Sequence, residues 1–235
     1  MAKAKGGFLR IPALEALVVT ILKAINGIVG NYGIAIIIVT IIVRILIFPL
    51  TLKQEKSMKR MRELQPQLDK LKEKYKDDQQ MLQQKTMEIY KENNVNPLGG
   101  CLPILIQMPI FIALFYAFSG DAIPNDATFL WFHLKHPDNL FKIGTFAVNL
   151  LPILNTVVTF FQQKMMSGPS KEQGVKSQMQ SMMYTMPLMM LFLFYRMPSG
   201  VTLYYLVSGV LSLAQQYIIM KGRSDDGKNS IKSEK

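Results

Sequence analysis

The chain carries, at residues 34–50, the stretch IAIIIVTIIVRILIFPL, in which Arg44 is the only charged side chain. A helix that crosses the roughly 30 Å of hydrocarbon in a bilayer needs about 20 mostly apolar residues. With its N-terminal flank, the stretch reaches that length over residues 27–50. It therefore predicts a membrane-spanning helix that contains an arginine.

Four further segments have the apolar character of membrane spans, although two of them are short and depend on their flanks. They cover residues 97–118, 145–161, 179–195 and 201–220. Residues 196–200 alone separate the last two spans, and Pro198 and Gly200 predict a tight turn there rather than one long helix. We therefore expect an all-α integral membrane protein with five transmembrane helices.

The segments between the spans differ in positive charge. They are the N-terminal segment 1–26, the loops 51–96, 119–144, 162–178 and 196–200, and the basic tail 221–235. Lysine and arginine number 19 in the group formed by 51–96, 162–180 and 221–235, against seven in the other group. The positive-inside rule places the richer group in the cytoplasm of a bacterial cell, with the N-terminus outside and the C-terminus inside.

The composition limits which binding partners and which catalytic or metal chemistry the protein can have. The net charge of +11 favours contact with anionic lipids, and no specific nucleic-acid readout is expected. Cys101 is a lone thiol, and the sequence has no His-Glu-x-x-His, no Gly-x-Ser-x-Gly and no carboxylate pair within a span. We therefore expect no enzyme activity, no metal and no cofactor.

Two segments outside the spans have apolar character. Residues 11–28 repeat apolar side chains at helical spacing, which predicts an amphipathic helix on the outer membrane surface. A degenerate signal sequence is the alternative, because its apolar core has a similar length. Phe129, Trp131 and Phe132 predict a contact with the outer membrane interface.

The loop 51–96 is charged and lacks an apolar core of its own. A narrow helical seam is formed by Met58, Met61, Leu64, Leu68, Leu71 and Tyr75. Pro66 should kink or restart this helix, and Asp77 and Asp78 mark a turn before a second helix. The pattern predicts a cytoplasmic helical hairpin, either a contact surface or a solvated spacer. Its length favours the contact surface, because a spacer needs far fewer residues.

Arg44 has two interpretations. A charge at mid-bilayer costs several kcal/mol, and such residues usually face protein or water. Alternatively, Arg44 lies six residues from Leu50, about 9 Å along a helix, so its side chain could reach the cytoplasmic headgroups. This span alone supports the two interpretations equally.

Polar side chains in the other spans favour a shared cavity. They recur every three or four residues, so each set lies on one helix face. Any one of them could instead make an interhelical hydrogen bond worth about 0.6–2 kcal/mol. The candidate cavity residues are Arg44, Thr40, Gln107, Asn155, Thr159, Tyr205, Ser208, Ser212 and Gln215.

The depth of these residues indicates the form of the cavity. With the predicted orientation, the cytoplasmic half of the membrane contains Arg44, Thr159, Gln163, Ser212 and Gln215. The outer halves are mostly apolar, with Asn149 as the main exception, as in a groove that is open to the cytoplasm and closed outside. A small-solute transporter or channel is the alternative function, and it predicts polar groups that reach the outer surface.

A series of short motifs occurs in a specific order along the chain. Its members are Arg44 before Phe48-Pro49-Leu50, Leu64-Gln65-Pro66, Lys74-Tyr75, NPLGGCLP at 96–103, QMPIF at 107–111, Met186-Pro187, Pro198-Ser199-Gly200, Tyr204-Tyr205 and Gln215-Gln216. With these motifs the sequence resembles the YidC/Oxa/Alb family of membrane insertases over about residues 11–220.

The resemblance implies a five-helix core around a hydrophilic groove that contains Arg44 and opens to the cytoplasm and to lipid. It implies that nascent membrane proteins enter this groove and pass laterally into the bilayer. The implied partners are the ribosome and targeting machinery, through residues 52–94, and the Sec translocon. The short tail 221–235 is not expected to anchor a ribosome.

Two features depart from the family pattern. Ser208-Gly209 stands where the family usually has Ser-Asn, so one expected polar group is missing. The sequence also does not contain the large extracytoplasmic domain and first anchor helix of Gram-negative members. We therefore expect an excised core or a minimal member.

Overall fold

The computed structural model describes residues 11–96, 102–143, 146–166 and 173–233. Helices make up most of the described chain, as predicted. They are α1 (Pro12–Val29), α2 (Tyr32–Lys74), α3 (Gln79–Glu92), α4 (Leu102–Ser119), α5 (Leu150–Met166), α6 (Gln173–Phe194) and α7 (Ser199–Ser233). The helix α7 packs against α2, α4 and α5, and α1 packs against α2 and α4.

The prediction of an all-α fold is wrong for the segment between α4 and α5, which contains two antiparallel β-hairpins. Their strands are β1 (Thr128–Phe129), β2 (Phe132–His133), β3 (Phe141–Ile143) and β4 (Phe146–Val148). Strands of two or three residues are too short to show a period in sequence. The helix α5 begins at Leu150 rather than at residue 145, because 146–148 belong to β4.

The boundary between α1 and α2 also differs from the predicted span 27–50. Gly30 ends α1 in the left-handed conformation, with φ of 70°, which glycine adopts without steric cost. The side chain of Asn31 caps α2, because its Oδ1 accepts hydrogen bonds from the backbone N–H groups of Gly33 and Ile34 at 2.8 and 3.2 Å. Residues 27–29 therefore end α1 and do not begin the span.

The helix α2 runs for 43 residues through Pro49 and Pro66, so the predicted restart at Pro66 does not occur. A proline removes one backbone donor, and the neighbouring helical bonds can continue when packing holds the chain. Leu64 and Leu68 are buried on either side of Pro66 and supply such packing. A turn after Lys74 leads to α3, whose first turn is capped by Asp78.

Two of the described helical segments, Pro12–Val29 and Tyr32–Met61, are long and apolar enough to cross a membrane. The apolar segments Leu105–Ser119 and Tyr184–Phe194 are shorter. The surface position of α1 and the full set of five spans therefore remain predictions.

The apolar core lies at the end of the bundle next to the β-hairpins, which we call the strand end. It includes Leu22, Ile36, Leu114, Phe118, Phe132, Phe194 and Val201. Gly200, the second residue of α7, lies against Phe118, and an added Cβ would lie 2.6 Å from the Phe118 Cε1 atom. Phe132 is 1% exposed, so its predicted contact with the membrane interface is wrong, whereas Trp131 is 46% exposed.

Candidate functional site around Arg44

Arg44 connects α2 to α7. Its Nε and Nη2 atoms donate hydrogen bonds to the Ser208 hydroxyl oxygen at 2.9 and 2.5 Å, and Ser208 is 3% exposed. A guanidinium has five N–H groups, so three remain beyond these two bonds. The side chain points toward α7, which favours the internal position over extension to the headgroups.

A second polar contact lies one turn away on α7. The Gln107 side-chain amide of α4 donates to the Tyr204 hydroxyl at 3.1 Å. Tyr204 precedes Ser208 by four residues, so both side chains lie on one face of α7. This face therefore receives polar groups from both α2 and α4.

Tyr205 is the candidate from the sequence, and its neighbour Tyr204 accepts the 3.1 Å hydrogen bond from Gln107. The Tyr205 ring packs among aromatic neighbours, with centroid distances of 4.7 Å to Phe194 and 5.6 Å to Phe111. The spacing from Tyr204 to Ser208 and the spacing from Tyr205 to Ser208 both fit one helix face, so the sequence pattern fits either tyrosine.

Two of the predicted polar residues satisfy their hydroxyl groups within their own helices. The Thr40 hydroxyl donates to the Ile36 carbonyl at 2.6 Å, and the Thr159 hydroxyl donates to the Asn155 carbonyl at 2.8 Å. Such bonds to the preceding turn leave no hydroxyl hydrogen for a ligand. Asn155 is buried on α5, and Ser212 is partly exposed on α7.

Gln162 contributes a contact that the sequence analysis missed. Its side-chain amide donates to the Gly209 carbonyl at 2.9 Å, which joins α5 to α7. A Cβ at Gly209 would lie 2.8 Å from the Val158 Cγ1 atom, so the glycine permits this close approach. A glutamine of α5 therefore lies at the position where the family's polar residue is missing.

The polar contacts continue away from the strand end. The Gln216 amide of α7 donates to the Glu55 carboxylate of α2 at 3.3 Å. Gln54 is buried and its Nε2 atom has no hydrogen-bond partner among the described residues, as is also true of the Gln215 Oε1 atom. Arg44 pairs with Ser208, and Glu55, further along α2, pairs with Gln216, further along α7. The two helices therefore run in the same direction.

Among the described residues, the polar side chains buried at the strand end bond the backbone: the Asp138 carboxylate accepts from the Leu150 N–H, and the Ser199 hydroxyl donates to the His136 carbonyl. Ile36, Phe118 and Val201 are buried there, and the backbone of Ser199 and Gly200 is hydrogen-bonded to residues 136 and 134. A transporter or channel requires polar groups that line an open path on this side as well. Here the polar groups bond the backbone and apolar side chains fill the space, so the packing does not favour that alternative.

The helical hairpin α2–α3 carries a charged outer surface. On α3 the Lys85 Nζ atom lies 2.6 Å from the Glu88 carboxylate. Their hydrogen bond raises the pKa of Lys85 and lowers that of Glu88. Within the described parts of the chain, no group of three His, Cys, Asp or Glu side chains could hold a metal ion.

Comparison with known proteins identifies the family. The model of the 60Kd inner membrane protein family matches residues 24–226. A membrane protein insertase YidC of Fusobacterium nucleatum is 50% identical over 208 residues, which are 88% of this chain and 95% of that protein. One of Pelodictyon phaeoclathratiforme is 41% identical over 89% of this chain and 36% of its own length.

A solved structure has the same fold. The crystal structure of an active YidC insertase, with its first transmembrane domain resolved, superposes with a TM-score of 0.63 at 30% identity. The match covers 87% of this chain and 46% of the solved chain, so this chain spans about half of that protein. The sequence matches and the fold lead to the same family, and the chain belongs to the 60Kd inner membrane protein family, the YidC/Oxa/Alb insertases that its motifs resemble.

Proposed function

We propose that this protein is a membrane protein insertase, which receives hydrophobic segments of nascent membrane proteins and passes them laterally into the bilayer. The observation that carries the proposal is the guanidinium of Arg44, which bonds Ser208 and keeps three N–H groups without a partner among the described residues. Relatives that carry the name membrane protein insertase YidC support it.

The proposed topology has five spans, formed by the first part of α2, by α4, α5 and α6, and by the first part of α7. The N-terminus lies outside, with α1 on the outer surface, and the C-terminus lies inside. The distribution of lysine and arginine supports this orientation. The strand end is then outside, and the charged hairpin α2–α3 lies in the cytoplasm.

The proposed groove contains Arg44 and the polar residues that approach it from α4, α5 and α7. It shortens the apolar distance that a hydrophilic tail must cross, and so lowers the desolvation cost of that tail. A carboxylate in the tail would bind the free N–H groups of Arg44, because charge-assisted hydrogen bonds contribute about 1.5–3 kcal/mol.

The driving force of the proposed reaction comes from the client. About 20 apolar residues that leave water for lipid supply a favourable free energy, so the mechanism needs neither nucleotide nor metal. The membrane potential adds about 2.3 kcal/mol per charge per 100 mV for an acidic tail that moves outward.

The proposed partners follow from the surfaces that face the cytoplasm. The hairpin α2–α3 would receive clients from the ribosome and the targeting machinery. Its exposed charges are better explained by binding to a protein or RNA surface than by a role as a spacer between two spans. The Sec translocon would be a lateral partner, and the basic residues of the hairpin would bind anionic lipids.

The proposal is tested by Arg44→Ala in proteoliposomes with two clients that differ only in their tails, one acidic and one neutral. We expect insertion of the acidic-tailed client to fall at least about tenfold, since the lost charge-assisted bonds are worth about 1.5–3 kcal/mol. Insertion of the neutral-tailed client should change much less, and Arg44→Lys should restore part of the activity.

The matched control is Arg196→Ala, which removes the same charge from an exposed position at the strand end. It should leave both clients unaffected. Equal losses for the acidic and the neutral tail on Arg44→Ala would contradict the electrostatic role of Arg44.

A further inference from the structure

Two buried amide atoms lack partners among the described residues where α2 and α7 meet on the cytoplasmic side of Arg44. The Gln54 Nε2 atom is a hydrogen-bond donor, and the Gln215 Oε1 atom is an acceptor. Gln54 is only 7% exposed. An unpaired polar atom that is buried costs free energy, and folded proteins keep few of them. A ligand that supplies one acceptor and one donor, and toward which the two buried side chains turn, would remove both costs.

Both atoms belong to the same crossing of the two helices. Gln54 and Gln215 each precede by one residue a member of the Glu55–Gln216 hydrogen bond, so their Cα atoms lie about 3.8 Å from those of the bonded pair. Gln215 also follows Ser208 by seven residues, about two helical turns, and therefore shares the face of α7 that meets Arg44. A client that enters from the cytoplasm would reach this crossing before it reaches Arg44.

A peptide group supplies the missing pair of partners, because its carbonyl accepts and its N–H donates. We infer that Gln54 and Gln215 bind the main chain of an extended client segment on its way to Arg44. Every residue except proline offers the same two groups, so this binding is independent of client side chains. The inference rests on the proposed insertase function and adds the groups that hold the client's backbone.

The neighbouring charge argues against an anionic ligand at this crossing. The Glu55 carboxylate, which follows Gln54 in the chain and accepts a hydrogen bond from Gln216, puts a negative charge at this crossing, and it would repel a phosphate or a carboxylate. Neutral amides beside a carboxylate suit a neutral ligand that both donates and accepts hydrogen bonds. Arg44 then binds the acidic part of the tail, whereas Gln54 and Gln215 bind its backbone.

Proline in the client distinguishes the contribution of Gln215 from that of Gln54, because proline has a carbonyl but no N–H. The full chain is reconstituted with two clients that share one apolar segment and carry either a Gly-Ser tail or a proline-rich tail, both neutral. Gln215→Met should lower the insertion rate of the Gly-Ser client about three- to tenfold, the effect of one lost hydrogen bond. It should leave the proline-rich client unchanged, because proline has no N–H to donate.

Gln54→Met should lower the rate of both clients, because every residue has a carbonyl. Asn125→Met, which removes an exposed side-chain amide at the strand end, is the matched control and should change neither rate. The decisive quantity is the ratio of the two rates on one variant, in which any loss of folded protein cancels.

The outcomes distinguish this inference from the proposed function. If the wild-type protein inserts no more client than empty liposomes do, the insertase function itself is wrong. If the wild type inserts both clients and Gln215→Met leaves the ratio of rates at its wild-type value, only the backbone site is wrong. In that case the glutamine serves packing or bound water.

Discussion

Arg44 is a cation among apolar side chains, and its hydrogen bonds to Ser208 hold it in one position. Burying a cation without partners costs several kcal/mol, and a neutral hydroxyl offsets only part of that cost. The arginine is therefore held in place but is not neutralised by a carboxylate within the described residues. Such a group retains a strong attraction for an anion that comes within reach.

Removing the hydroxyl of Ser208 should destabilise the protein. Ser208→Ala deletes the acceptor of two charge-assisted hydrogen bonds, and we expect the free energy of unfolding to fall by about 1.5–3 kcal/mol. Thermal unfolding in detergent measures the change. Ser212→Ala, one turn further along α7, is the control, and a loss as large as that of Ser208→Ala would show that the Arg44 bonds are not its cause.

At the scale of the elements, α5 and α7 depend on a glycine for their close contact. Gly209 lies against Val158, and its carbonyl accepts the hydrogen bond from Gln162. Small residues let helices in a membrane approach closely, where van der Waals contact supplies much of the association energy. This contact positions Asn155 and Ser208 on neighbouring helices, so it affects the shape of the proposed groove.

Adding a methyl group at Gly209 should force the two helices apart. Gly209→Ala is expected to lower the free energy of unfolding by about 1–3 kcal/mol, the usual cost of overpacking. Combining it with Val158→Ala should recover part of the loss, which a double-mutant cycle measures as a coupling energy.

Gly27→Ala provides the contrast in α1, where an added Cβ meets nothing within 4 Å. It should raise stability by about 0.5–1 kcal/mol, because alanine is the better helix former. A loss at Gly209 without rescue by Val158→Ala would refute the steric explanation.

At the scale of the whole molecule, the β1–β2 hairpin is attached to the start of α2. The Asn31 side chain donates to the Thr128 carbonyl at 3.3 Å, and Phe129 occupies the space that a side chain at Gly33 would need. Trp131 lies at the tip of this hairpin beside Leu130, whose φ of 52° is unusual for a leucine. In the proposed orientation, the tip therefore lies at the outer membrane interface.

Fluorescence can locate this tip, because Trp131 is the only tryptophan. Tryptophan prefers the headgroup region. We therefore expect its emission to shift to shorter wavelength on transfer from detergent to bilayers. Lipids brominated on the acyl chain close to the headgroup should quench the emission more than lipids brominated at the end of the acyl chain. Full quenching by an aqueous reagent, with no protection by lipid, would show that the tip lies in water rather than at the membrane interface, and would contradict the proposed orientation.

Much of the helical organisation could be predicted from local pattern. The apolar run around Arg44, the turn at residues 196–200 and the break after Lys74 depend on composition and on residues close in sequence, and helices form by bonds within four residues. The short strands at 128–148 could not be predicted in this way, because pairs of two or three residues depend on the surface that they pack against.

The partners inside the bundle required the folded chain. Periodicity assigned Ser208 to a polar face of α7, and the same periodicity could not decide between Tyr204 and Tyr205 as the partner of Gln107. It also could not show that Thr40 bonds its own helix or that Gln162 reaches Gly209. The rotation of a helix about its axis is set by the sum of its contacts along the whole length, and those contacts join residues more than 40 positions apart in sequence.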